Sequence, residues 1–153
     1  MKSKKIEVKK YEAWLSAETM HGHYLKWLSE LEFAEDEQLF FNDLIDTYTL
    51  QLIDSKHFNE STEIINKLNA LQKETKALIN TVINHEKGLK IMVDGINQIP
   101  EENAYKDEHG KLIITISEFL KKYRTLKSQL FVLIKNIIKE RKQKRLLSQK
   151  TKK

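Results

Sequence analysis

Helix breakers are almost absent from this chain, with one proline and four glycines in 153 residues. Between them apolar residues recur three and four positions apart over three long stretches, the spacing of one face of an α-helix. Such a chain folds as long rods, each burying a stripe. Rods packed side by side leave few clefts, so the informative residues are polar side chains that fall where the stripe calls for apolar ones.

The first rod runs from about Tyr24 to about Asp54, with Trp27, Leu31, Ala34, Gln38, Phe41, Ile45, Tyr48 and Leu52 in phase. The stretch from Asp54 to Asn59 interrupts it. Asn59 or Ser61 then suits the N-cap of a second rod, because a short side-chain oxygen accepts from the first unpaired backbone N–H groups. Its stripe is Ile64, Leu68, Leu71, Thr75, Leu78, Val82, His85, Leu89, Met92, Ile96 and Ile99, ended by Gly95 or Pro100. Residues 100–107 read as the next connection. A third rod is expected from an N-cap at Asp107, carrying Leu112, Ile116, Phe119, Tyr123, Leu126, Leu130, Leu133 and Ile137 before fading into a basic tail.

About 30 residues at 1.5 Å each make a rod near 45 Å long, so the three match in length, and short connections favour neighbours of opposite direction. The fold class expected is all-α, an antiparallel up-down-up bundle of three long helices. The segment around Tyr11, Trp14 and Leu15 is amphipathic too, and Gly22 separates it from the first rod. It either extends that rod or folds back as a fourth helix. The chain divides into an N-terminal segment (1–20), a helical bundle (21–138) and a basic C-terminal tail (139–153).

Charge is unevenly spread. Residues 1–10 carry five lysines against Glu7, and residues 139–153 carry eight Lys or Arg against Glu140. The remaining 14 basic and 20 acidic side chains lie between, so two basic ends flank an acidic body. Clustered cations such as Lys139, Arg141, Lys142, Lys144 and Arg145 suit weak contact with nucleic acid or anionic lipid, although no aromatic side chain among them would stack on bases. The chain has no cysteine, which excludes disulfides, thiolate metal sites and a cysteine nucleophile. Residues 1–10 lack the apolar run of a secretory signal. The longest apolar run, Leu130 to Ile134, is far short of the roughly 20 residues that span a membrane. Together these point to a soluble, cytoplasmic protein.

Three helices bring polar residues into the apolar phase. His23, Glu30 and Glu37 share a face with Trp27 and Phe41 on the first rod. His85 occupies a stripe position on the second, beside Glu86. His109 precedes Leu112 by three at the start of the third and points inward. If the first connection centres near residue 57, Glu30 lies level with residue 84 and His23 with residue 91. If the second centres near 102, His109 lies level with about residue 95, further along the second rod than His85.

His23, Glu30, His85 and His109 are therefore candidate metal ligands, since imidazole and carboxylate suit iron, manganese or zinc. The competing reading makes His85 a core histidine bonded to Glu30 or to a backbone carbonyl. The Glu-x-x-His repeat of di-iron bundles does not occur here. His21 and His23 lie two apart and could chelate one ion only if Gly22 unwound the turn. Trp14 and Trp27 suit packing anchors.

The line His23-x-x-x-Trp27-x-x-Glu30-Leu31, with Asn84-His85-Glu86 and Glu108-His109, resembles small bacterial helical proteins of broadly hemerythrin-like or ferritin-like style over residues 21–138. The resemblance implies an all-helical bundle and favours a His/Glu site. True hemerythrins supply five histidines in a spacing this chain lacks, so oxygen binding is not implied.

No phosphate-cradling glycine loop, nucleophile elbow or metalloprotease signature occurs, so no enzyme activity is expected. The functions expected are a non-catalytic intracellular scaffold or interaction module, a metal-binding bundle, or an accessory to nucleic acid or membrane surfaces. Phe33, Leu39, Phe40 and Leu44, with Ile65, Ile79 and Ile83, widen the apolar surface beyond one seam. That predicts a homodimer, another protein partner, or cover by a packed N-terminal helix.

Overall fold

The computed structural model describes residues 16–54, 56–94 and 99–151. Every element among them is helical: α1 (Ala17–Thr47), the single turn α2 (Thr49–Leu52), α3 (Phe58–Asp94) and α4 (Ile99–Thr151). None of these helices is long and apolar enough to cross a membrane. The expected helix over Tyr11 to Leu15 lies outside the described residues, as do Gly95 and Ile96.

The apolar stripes are buried largely as their periodicity requires. Trp27, Leu31, Ala34, Gln38 and Phe41 are buried on α1, and Ile64, Leu68, Leu71, Thr75, Leu78, Val82, His85 and Leu89 on α3. Leu112, Ile116, Phe119, Tyr123, Leu126, Leu130, Leu133 and Ile137 are buried on α4. Ile99 departs from its stripe, being exposed at the start of α4 rather than closing α3.

Helix ends differ from expectation at several places. α1 stops at Thr47 rather than near Asp54, and α3 begins at Phe58, so Asn59 and Ser61 lie inside it and neither is its N-cap. α1 begins at Ala17, not at Tyr24, because Ser16 caps it: the Thr19 N–H donates to Ser16 Oγ at 3.1 Å. Gly22 does not interrupt it, since one glycine costs a helix only about 1 kcal/mol and the burial of Met20 offsets this. α4 begins at Ile99 rather than Asp107. Pro100 sits in its first turn, where no intrahelical N–H partner is needed, and Glu101 and Glu102 follow where carboxylates complement the helix dipole. The tail also stays helical as far as Thr151, with residues 141–150 exposed.

The described chain forms two compact units. Unit 1 contains residues 16–35 and 74–120, and unit 2 contains residues 36–73 and 121–151. In unit 2, Phe41 meets the edge of Phe131 with ring centres 5.6 Å apart. Glu37 Oε1 accepts from Tyr123 Oη and Lys127 Nζ, both at 3.1 Å. Burial first, then the Glu37 charge, holds the Tyr123 hydroxyl protonated well above its ordinary range.

Ahead of α3, buried His57 bonds Glu140 through Nε2 at 2.9 Å, and Lys56 reaches the other carboxylate oxygen at 3.1 Å. The His57 bond first, and then the Lys56 bond, hold the Glu140 carboxyl below its ordinary value. In unit 1, Met20, Leu89 and Tyr105 form a small cluster with Ala17 and Met92.

A Cβ at Gly22 would meet nothing within 4 Å. Gly22→Ala should therefore stabilise the fold by about 0.5–1 kcal/mol through helix propensity alone, read as a higher urea midpoint at unchanged m-value.

Candidate functional site

His109 is the centre of the polar cluster in unit 1. It is fully buried, and both ring nitrogens are engaged. Nε2 lies 2.9 Å from His23 Nδ1, and Nδ1 lies 2.9 Å from His85 Nε2. The three imidazoles come from α1, α3 and α4. His85 is buried and His23 half-buried.

Aromatic faces hold the rings in place. The Tyr105 ring stacks on His85 with centres 4.1 Å apart and planes 4° from parallel, while its hydroxyl donates to the His85 carbonyl at 2.8 Å. Trp27 lies 4.8 Å from the His109 ring and 5.7 Å from His23. Gly88 makes room for Tyr105: a Cβ there would lie 3.3 Å from Tyr105 Cε2.

Two carboxylates border the cluster. Glu108 Oε1 stands 3.7 Å from His85 Nδ1, which has no hydrogen-bond partner. Buried Glu86 bonds exposed His21 through Oε1, and its Oε2 has no hydrogen-bond partner.

Burial, followed by the neighbouring His85 and His23, pushes the His109 pKa down to about 3. Burial also lowers His85, opposed by Glu108, and lowers His23 with Lys26 adding to the effect. The Tyr105 hydroxyl is held protonated by burial and by the charges of Glu86 and Glu108. All three imidazoles are consequently neutral at pH 7. A neutral imidazole has one N–H donor and one bare acceptor, so the cluster is satisfied only if donors and acceptors alternate along it.

Of the four residues singled out from the sequence, His23, His85 and His109 meet. Glu30 stands apart from their hydrogen-bond chain, with its carboxylate 3.8 Å from Lys26 one turn earlier on α1. His85 takes His109 as partner rather than Glu30. The register expected between α3 and α4 was set by the misplaced start of α4. With α3 ending at Asp94 and α4 starting at Ile99, their connection centres on residues 96–97, which puts His109 level with residues 84–85.

Among the described residues, no group of three or more His, Asp or Glu side chains is arranged to hold a metal ion. In this arrangement both ring nitrogens of His109 are engaged, one with each neighbouring imidazole. His21 does not chelate with His23; its partner is Glu86. Tyr105, Glu108 and Glu86 were missed as partners of the cluster. Tyr105 lies four residues before His109 and Glu86 directly follows His85, and that spacing was the available signal.

Compared with known proteins, the chain matches no family model, no curated protein and no solved structure.

Two expectations follow. The three histidines are depressed in the folded state below their ordinary 6.5, so below about pH 6.5 the unfolded chain binds more protons than the folded one. Their contribution is fully present above pH 6.5 and is lost as pH falls. His109 alone should give a slope that is small near pH 7 and rises to about 1.4 kcal/mol per pH unit by about pH 5, until pH approaches its folded value. Urea unfolding in steps between about pH 7 and pH 5 measures this slope, and a flat profile contradicts it. Gly88→Ala should lack the gain expected of Gly22→Ala, because Tyr105 is pinned by its stack and its hydrogen bond. Parallel melts of the two variants make the comparison.

Proposed function

We propose that the chain is a non-catalytic, cytoplasmic interaction module, an up-down-up antiparallel bundle that self-associates through unit 2. The observation that carries this is the outer face of α1. Opposite the buried positions Gln38 and Phe41, Leu39 is 61% exposed and Phe40 55%, and they are interleaved with exposed Asp36, Asp43 and Asp46. A helix in a monomer has no need of apolar side chains on its solvent side, and a cluster framed by charge is how an interface presents itself.

The complement is present on the same unit. Ile138, Arg141, Lys142 and Arg145 share an exposed face of α4, and Leu146 beside them is also exposed. Acidic-apolar α1 of one copy therefore suits basic-apolar α4 of a second. A two-fold axis supplies the reciprocal contact without further surface. The same cations suit a phosphate polyanion, but exposed Leu39 and Phe40 have no role in that contact, which favours the protein partner.

The expected result is a dimer at micromolar concentration by sedimentation equilibrium. Phe40→Asp should weaken it at least tenfold by removing a central aromatic and adding a like charge to the acidic face. Added salt should weaken the wild-type dimer by screening the rim pairs. A wild-type protein that stays monomeric at these concentrations refutes the reading.

A further inference from the structure

The connection between α1 and α3 is closely hydrogen-bonded, yet it leaves apolar side chains outside. The Leu52 N–H donates to the Tyr48 carbonyl at 2.9 Å, Ile53 to Thr49 at 3.0 Å and His57 to Asp54 at 2.9 Å. Of the residues in α2, only Leu52 is buried, so one side chain anchors the turn. Residues two apart on a helical turn point away from each other. With Leu52 fixed inward, Leu50 faces out, and at 78% it is the most exposed large apolar side chain among the described residues. Ile53 is 58% exposed and Phe58, at the start of α3, 52%. All three belong to unit 2.

Cations surround this turn. α4 passes it at Glu140, which accepts from both His57 and Lys56. On either side of that glutamate lie Lys139, Arg141, Lys142, Lys144 and Arg145, all exposed. Arg141 and Lys144 line a small cavity with Gln51, Asp54 and His57, which places them directly beside the turn. Asp54 is the turn's own carboxylate, and its Oδ1 accepts from the Lys56 backbone N–H at 3.4 Å. Residues 48–58 and 139–145 together hold six Lys or Arg against two carboxylates, Asp54 and Glu140.

Protruding apolar side chains ringed by lysine and arginine match the two layers of a bilayer surface. Apolar groups enter the boundary of the acyl chains, and cations meet anionic headgroups. Long Lys and Arg stems suit that boundary, because their methylenes stay with apolar groups while the charge remains in water. We propose that this end of unit 2 docks on an anionic lipid surface, with Leu50, Ile53 and Phe58 as the wedge and Lys56, Arg141 and Lys144 as headgroup contacts.

Two features favour lipid over other acidic partners. Leu50 and Ile53 are aliphatic and offer no ring on which a nucleic-acid base would stack. They also project from a turn, whereas a partner helix is received in a groove. The surface is distinct from the one proposed for self-association: Leu39 and Phe40 lie on α1, and Arg141 alone is common to the two.

The test is co-sedimentation of the full-length protein with vesicles of phosphatidylcholine alone, and of phosphatidylcholine containing about 30% phosphatidylserine. Binding is expected to the anionic vesicles only, and added salt should weaken it. Leu50→Ser combined with Ile53→Ser changes two exposed positions, so the melting temperature should hold. Vesicle binding should fall by at least about tenfold, since two apolar side chains no longer leave water. Lys144→Glu should weaken binding as well. Because the chain has no cysteine, Leu50→Cys accepts a single environment-sensitive fluorophore, whose emission should shift to the blue on anionic vesicles. Wild-type protein that ignores anionic vesicles overturns the proposal and gives the turn to a protein partner instead. Equal binding to neutral vesicles overturns it, as does a double serine variant that binds like the wild type. Attachment through the lysines of residues 1–10 alone would leave the fluorophore at position 50 in water, and that outcome overturns it too.

Discussion

Burying imidazole is the constraint on which unit 1 depends. A charged ring in its interior would carry a desolvation cost that no nearby carboxylate fully offsets, and burial accordingly leads the causes that depress all three histidines. Once the rings are neutral, each has one donor and one acceptor to place. Joining them to one another satisfies His109 completely and leaves the open nitrogen of His85 near the exposed Glu108. Trp27, Tyr105 and Gly88 fit this arrangement, because flat rings pack against flat rings and the lack of a Cβ at position 88 gives the Tyr105 ring room to lie close to α3.

Unit 2 handles its buried polar groups differently. There the histidine is paired with a carboxylate at once, His57 with Glu140, and Glu37 serves both a tyrosine and a lysine. Each carboxylate is partly open to water, so these pairs form at modest desolvation cost. His57 and Glu37 thus take charged partners where water remains in reach, whereas His23, His85 and His109 bond one another.

Much of the helix content and most of the core were legible in the residue spacing, since a stripe repeating every three to four positions has one way to be buried. The eight α4 positions from Leu112 to Ile137 are the clearest case. Helix ends were less legible. Pro100 and Gly22 were read as breaks, yet a proline in the first turn and an isolated exposed glycine are both compatible with helix. That error at Pro100 displaced α4 by two turns and hid the bond between His85 and His109. The meeting of three histidines was foreseeable from their phase, but their partners were not. Phase tells which residues turn inward, and only the register between helices tells which of them touch.

The two bonds inside the cluster close very different lengths of chain: His85 and His109 are separated by 24 residues, His23 and His109 by 86. Measured from an open chain, the longer span costs about 1 kcal/mol more in loop-closure entropy, so the bond between α3 and α4 is the locally favoured one and the bond to α1 leans more on the packing around it. Trp27 supplies that packing, because its ring lies against both His109 and His23 and ties the distant stretch of chain to the cluster through contact rather than proximity in sequence.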